Sequence, residues 1–360
     1  MEAVEEKYMA RCIELARGGM GNTYPNPLVG AVIVCNGEII GEGFHRRVGE
    51  AHAEVNAISS VRNKSLLRES TLYVNLEPCS HYGRTPPCAE LIINKGIPRV
   101  VVGCLDPYPE VSGRGVRMLL KAGVEVVTGV LENEAYALNK KFMVFHEKQR
   151  PYIMLKWAQT TDRFIDYRRT DYTEPALKLS SGETLRMVHK LRSEYAAIMV
   201  GTRTALLDNP SLSVRHWSGQ PPLRIVLDRH LCIPSHYHLL DGTIPTIVFT
   251  ARDAANRKNV EYICLDYTLP LLPQIMQILY KKNINSLLVE GGTQLLNSFL
   301  QEGFWDEAHV EVAPFLLKEG VYAPEMNLSI IPFVQAETEL IENEKKQRIV
   351  LHYATNQSYI

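Results

Sequence analysis

Pro78-Cys79-Ser80-His81-Tyr82-Gly83-Arg84-Thr85-Pro86-Pro87-Cys88, read with His52-Ala53-Glu54 upstream, decides how the first half of this chain folds. The apolar spacing predicts helices over 52–61 and 88–95 and a strand over 71–76, so His52 and Cys88 open helices and Cys79 lies just past a strand. Open α/β sheets place their chemistry at such positions. Pro78 fixes its own φ and offers no N–H, which holds the turn into Cys79. Moving outward, a strand over 99–104 is closed by Asp106-Pro107, and a helix over 116–121 and a strand over 124–127 follow. Moving back, Asn36-Gly37 joins two apolar runs, 28–35 and 38–44, with the strongest short hairpin signal available. Met9, Ile13 and Ala16 form a helical stripe over 6–17 that ends at Gly18-Gly19. The alternation predicts a sheet covered by helices.

A further helix is expected over 133–147, and the polar break Lys148-Gln149-Arg150-Pro151 precedes an apolar restart. The boundary is placed there, giving domains over 1–148 and 149–360. The second half alternates again, with strands over 196–200, 223–227, 246–250 and 286–289 and a helix over 271–281. At 360 residues, 46% hydrophobic and 22% charged, two domains are the ordinary expectation. A formal net charge of -1 and the lack of a Lys/Arg block argue against a nucleic-acid surface and favour a small substrate. Seven scattered cysteines and a charged start without an apolar core predict a reducing, cytoplasmic setting, and no apolar run is long enough for a membrane anchor.

His52, Cys79 and Cys88 supply one imidazole and two thiolates, the donor set of a catalytic zinc whose fourth position is left to water. Glu54, two residues past the imidazole, is then the acid/base that carries protons between water and a departing amine. The chemistry this predicts is hydrolytic deamination of a nitrogen heterocycle. A structural zinc module would need a fourth protein ligand, and an RNA-editing enzyme would need a basic face; the sequence supplies neither. Cys12, Cys35, Cys104, Cys232 and Cys264 are read as ordinary cysteines.

Eight residues separate Cys79 from Cys88, where nucleoside and nucleic-acid deaminases usually close with Cys-x-x-Cys. With Pro25-Asn26-Pro27-Leu28-Val29-Gly30 and Gly49-Glu50-Ala51-His52-Ala53-Glu54, the stretch resembles the bifunctional deaminase/reductase family of riboflavin biosynthesis. The resemblance implies an N-terminal cytidine-deaminase-like three-layer domain and a C-terminal dihydrofolate-reductase-like α/β domain. It implies a zinc-dependent deaminase acting on a diaminopyrimidinone that bears a ribosylamino phosphate, with Asn26 and His45 on the pyrimidine and His81 and Arg84 on the phosphate. It also implies a homo-oligomer.

In the second half, Val289-Glu290-Gly291-Gly292 reads as a strand running into a turn whose amides can approach a phosphate, although it is not a dinucleotide fingerprint. The resemblance resumes at 155–162, 197–201, 207–215 and 289–292, and extends from about Tyr8 to about Leu351. It implies a reductase that takes hydride from NADPH and converts a ribosyl group to ribityl. Ala158, Thr204, Asp208 and Gly292 would serve NADPH. Arg192, Leu212, Arg215 and Glu290 would serve the phosphorylated substrate, and Lys156 and Asp162 would line the site. The chain departs from the family pattern at Tyr108, at Arg163 where glycine is usual, at Lys178 where an aromatic is common nearby, and at Lys318. A deaminase whose second domain no longer transfers hydride is the alternative reading.

Overall fold

Asn36 and Gly37 both hold positive φ, 52° and 80°, and make the tight turn between β1 (Gly30–Cys35) and β2 (Glu38–Phe44), with Cys35 opposite Glu38. Residues free to adopt that backbone are what a two-residue hairpin requires. β1 also pairs antiparallel with β3 (Thr71–Leu76), and β4 (Arg99–Cys104) and β5 (Glu125–Thr128) continue in parallel, giving the order β2-β1-β3-β4-β5. The computed structural model describes residues 2–82, 86–108, 112–326, 334–343 and 346–355. It divides into two units between Gln149 and Arg150.

In the first unit, α1 (Glu2–Ala16), α2 (Ala53–Ser60), α3 (Cys88–Lys95) and α4 (Arg114–Lys121) cover a sheet buried on both faces. Ala31, Ile33, Val74 and Val102 pack with Ala57, Ile92 and Leu119 on one side, while Val32, Val34, Tyr73 and Val101 pack with Met9, Cys12 and Met143 on the other. Alternate residues of each strand thus serve opposite cores, which makes three layers.

The helix expected over 133–147 is two helices, α5 (Glu132–Leu138) and α6 (Lys140–Lys148). The break falls at Asn139, whose buried amide accepts from the Leu28 N–H at 2.8 Å and donates to the Leu28 carbonyl at 2.9 Å. Asn75 does the same from β3, accepting from Gly30 N at 2.7 Å and donating to Leu28 O at 3.0 Å. The two asparagines take up polar backbone that would otherwise be buried without partners, so a tertiary requirement overrides the helical pattern.

The second unit opens with Arg150, whose guanidinium makes two bonds to the fully buried Asp306 carboxylate at 2.6 and 2.8 Å. Its strands are β6 (Tyr152–Thr160), β7 (Phe164–Asp166), β8 (Ala197–Val200), β9 (Leu223–Leu227), β10 (Thr246–Thr250), β11 (Val260–Cys264), β12 (Ser286–Val289), β13 (Glu307–Ala313), β14 (Val321–Tyr322), β15 (Val334–Asn343) and β16 (Lys346–Thr355). Nine of them form one sheet in the order β11-β10-β9-β8-β12-β6-β13-β16-β15, parallel from β11 to β13 and antiparallel beyond. Its helices are α7 (Gly182–Glu194), α8 (Thr202–Asp208), α9 (Leu271–Lys281) and α10 (Thr293–Gln301). Ile153, Leu155, Met199, Ile225, Phe249 and Leu287 pack against Ile275, Leu279, Leu296 and Phe299 in one apolar cluster. Among the described residues, no helix is long and apolar enough to cross a membrane.

Candidate functional site

His52 is the N-cap of α2, Cys88 is the first residue of α3, and Cys79 lies three residues beyond β3. Their ligand atoms all lie within 4.8 Å of one another, with Cys88 Sγ 3.3 Å and Cys79 Sγ 3.6 Å from His52 Nδ1. The Cys88 N–H also donates to Cys79 Sγ at 3.3 Å. The hydrogen bond from Cys88, with those from His52 and the Cys88 amide, holds the Cys79 thiol far below its ordinary value against the upward push of burial. Two sulfurs and one imidazole nitrogen converging on one point fit zinc, and fewer than four protein ligands suit a catalytic site. Glu54 sits in the first turn of α2 and is 3% exposed; burial and the Cys79 charge push its carboxyl up to about 7, opposed by His52.

His45 stands edge-on to His52, with ring centroids 5.7 Å apart. Its Nδ1 is 3.1 Å from the Ala51 carbonyl, which can only accept, so the proton is on Nδ1 and Nε2 accepts from Asn26 Nδ2 at 3.1 Å. Desolvation lowers the His45 pKa, against the bond to the Ala51 carbonyl, which raises it. Asn26 and His45 are therefore brought together beside the ligand cluster. His81 is exposed, and Arg84 lies outside the described residues.

Residue spacing did not reveal Glu77. Its buried carboxylate accepts from the backbone N–H groups of Gly113 at 2.8 Å, Val116 at 3.1 Å and Asp106 at 3.2 Å. A Cβ at Gly115 would fall 2.0 Å from the Pro78 carbonyl, so the start of α4 lies directly against the segment that delivers Cys79. The sequence signal was an acidic residue closing an apolar strand, since a buried carboxylate demands several donors.

In the second unit the predicted residues lie inside β6 (Lys156, Ala158), on α7 and α8 (Arg192, Thr204, Asp208), in the loop after α8 (Leu212, Arg215) and just past β12 (Glu290, Gly292). Glu290 follows β12 and receives Arg192 of α7 in a two-bond pair at 2.9 and 2.6 Å. The side chain of half-buried Lys156 on β6 has no hydrogen bond or ion pair among the described residues; burial lowers its pKa, while Glu290 and Glu311 oppose that shift. Glu311 on β13, also missed, accepts from Ser180 Oγ at 2.6 Å and Thr184 Oγ1 at 2.8 Å. Ala158 is opposite Glu311 in the sheet register. Leu212 is buried with φ 47°, and Arg215 donates to Ser211 Oγ at 3.1 Å. Asp208 is taken up by an ion pair with Arg169, which also binds Asp166. At Gly291 a Cβ would meet Val200 Cα at 2.8 Å. Gly292 is the N-cap of α10 with φ 31° and no side-chain cap, and a Cβ there would lie 3.1 Å from Thr204 Oγ1. Two close-packed glycines at an uncapped helix start leave amides open to an anionic group such as a pyrophosphate.

Residues 2–104 match the cytidine and deoxycytidylate deaminase zinc-binding region, and residues 151–326 match the RibD C-terminal domain. Riboflavin biosynthesis protein RibD of Aquifex aeolicus is 40% identical over 94% of this chain and 96% of that protein. The chain belongs to the RibD family. RibD of Bacillus amyloliquefaciens is 42% identical over 90% of this chain and 88% of its own. A crystal structure from Thermotoga maritima, a diaminohydroxyphosphoribosylaminopyrimidine deaminase/5-amino-6-(5-phosphoribosylamino)uracil reductase, superposes with a TM-score of 0.84 at 35% identity, covering 98% of this chain and 99% of that one.

As a RibD, this chain is a bifunctional enzyme of riboflavin biosynthesis, a zinc-dependent deaminase joined to an NADPH-dependent reductase. The departures at Arg163 and Lys318 leave the backbone that glycine would give. Their φ values are 67° and 74°, and the Asp162 carboxylate fixes the second of them by accepting from Lys318 N at 2.7 Å and Leu317 N at 3.1 Å. Burial opposes ionisation of Asp162, but bonds from Thr160 and these amides prevail and hold its pKa low. Lys178 is exposed beside the buried Leu179.

Proposed function

We propose that the first unit replaces the amine at ring position 2 of the diaminopyrimidinone ribosylamino 5'-phosphate with oxygen, and that the second reduces the ribosyl group of the product to ribityl. The observation that carries the first step is the convergence of His52, Cys79 and Cys88 beside the buried Glu54. Zinc held by these three residues supplies a Lewis acid that brings the pKa of water toward neutrality. Glu54 accepts the proton from water and passes it to the ring and the departing amine, which leaves as ammonia. Asn26 and His45 hold the pyrimidine, the neutral ring of His45 fixed by the Ala51 carbonyl. His81 and Arg84 are assigned to the phosphate on family pattern alone.

In the second unit, the Gly292 turn, Ala158, Thr204 and Asp208 would hold NADPH, which would supply hydride for C1 of the sugar opened as the imine, while the nitrogen takes a proton. Lys156 is the assigned proton donor because its ammonium feels the charges of Glu290 and Glu311 and its side chain has no hydrogen bond among the described residues. Asp162, occupied by Thr160 and two amides, shapes the adjoining loop instead. Arg192, Arg215 and Leu212 receive the sugar phosphate, with Glu290 orienting Arg192. The test is to supply the diaminopyrimidinone substrate first without and then with NADPH. Ammonia release followed by stoichiometric NADPH consumption is expected; no ammonia would refute the first step, and ammonia without NADPH consumption would refute the second.

A further inference from the structure

His189 is completely buried on α7, one turn before Arg192. Its Nδ1 accepts the backbone N–H of Arg215 at 3.0 Å, so the ring proton is on Nε2. That Nε2–H finds no acceptor among the described residues, and the ring meets His216 edge-on, with centroids 4.8 Å apart. Burial, reinforced by Arg192, His216 and Arg215 and opposed by Glu290, lowers its pKa to about 4, so the ring is neutral under ordinary conditions. The loop it grips is held at two further points. Arg192 Nη1 donates to Ser213 O at 3.2 Å, and Arg224 Nη1 donates to Ser211 O at 3.4 Å.

A buried N–H without a partner is destabilising, and a phenylalanine of similar volume would avoid that cost. The hydrogen bond to the Arg215 amide is what the imidazole adds in return. Leu212 and Arg215 lie on this loop, and fixing its backbone at 211, 213 and 215 fixes where the Arg215 guanidinium points. A guanidinium meets a phosphate through a planar, directional fork, so a small rotation of the loop weakens the contact.

We propose that His189 is a positioning residue of the reductase, whose Nδ1 sets the 211–215 loop to receive the phosphate of the substrate. The proposal rests on the reading of Arg215 as a phosphate ligand. The test uses the full chain with 5-amino-6-(5-phosphoribosylamino)uracil and NADPH, and compares His189→Phe, His189→Asn and Arg215→Gln. Phenylalanine removes the acceptor, whereas the asparagine amide oxygen can occupy the Nδ1 position. His189→Phe is expected to raise KM for the phosphorylated substrate about tenfold, the effect of one lost hydrogen bond to a buried donor, with kcat and the KM for NADPH little changed. His189→Asn is expected to restore KM. If His189→Phe does not fold, His189→Gln replaces it with the same expected rise, because its oxygen reaches the Nε2 position instead. A raised KM in Arg215→Gln with an unchanged KM in His189→Phe, or an asparagine variant as impaired as the phenylalanine one, overturns the proposal. An unchanged KM in Arg215→Gln overturns the phosphate-ligand reading itself, whatever the His189 variants do.

Discussion

The two sites of this chain are assembled by different means. Around the deaminase ligands, side chains hold the backbone: Glu77 takes three amides beside Cys79, His45 and Asn56 take the Ala51 carbonyl before His52, and Asn75 and Asn139 take Leu28 near Asn26. The reductase site adds buried ion pairs between side chains over long separations, Arg192 to Glu290 and Arg169 to Asp208, to backbone anchors such as His189 on the Arg215 amide. A site whose parts are local in sequence can be written as a motif. A site held by distant ion pairs needs the fold to bring its partners together, and each of its residues looks ordinary alone.

If the two regions are independent as well as different, Glu54→Gln should reduce deamination by on the order of 10³-fold, while zinc content and NADPH oxidation with pre-deaminated substrate stay at wild-type levels. Coupled loss of both activities would break the contrast. The mirror experiment is Glu290→Gln, which leaves the Arg192 guanidinium buried without its carboxylate. It should destabilise the second unit by about 3 kcal/mol in urea unfolding and abolish NADPH oxidation, with ammonia release intact.

Glu77→Gln tests the backbone-anchored side more finely. An amide offers one acceptor oxygen to three N–H groups, and zinc release to a chelator should speed up about 10–100-fold; an unchanged rate would mean the anchor does not reach the metal ligands. On the reductase side, neutral His189 adds a pH dependence. Its folded pKa of about 4 lies below the ordinary 6.5, so the unfolded chain binds the proton first. Its contribution is complete above pH 6.5 and is lost as pH falls toward 4. Between pH 7 and pH 5 the wild type should lose about 2 kcal/mol more stability than His189→Asn. The smallest effect is expected at the positive-φ positions. Arg163→Gly and Lys318→Gly relieve left-handed strain but loosen the unfolded chain, so each should shift stability by less than about 1 kcal/mol and leave NADPH affinity unchanged.

Much of this was legible in the sequence where chemistry and periodicity coincide. The hairpin at Asn36-Gly37, the strands over 71–76 and 99–104 and the helix over 88–95 follow from local patterns that tertiary packing does not overrule. Zinc followed from residue types and spacing. Glu77, Asn75 and Glu311 were not legible as functional residues, because each is a polar residue in or just past a strand and its purpose depends on donors that arrive from elsewhere. The break at Asn139 was hidden for the same reason. At Arg163 and Lys318 the sequence pointed toward damage, because residue type speaks only to intrinsic backbone freedom; the Asp162 carboxylate imposes the required conformation on Lys318 from outside.

The three amides gathered on Glu77 have an implication for how this enzyme can change. The backbone at Asp106, Gly113 and Val116 carries these amides, with Tyr108 two residues past Asp106. That backbone and the segment delivering Cys79 hang from one carboxylate, with Gly115 pressed against Pro78. Variation there is free only in the side chains. A change that moves the three N–H vectors would shift the segment that delivers Cys79, and with it the cluster of His52, Cys79 and Cys88.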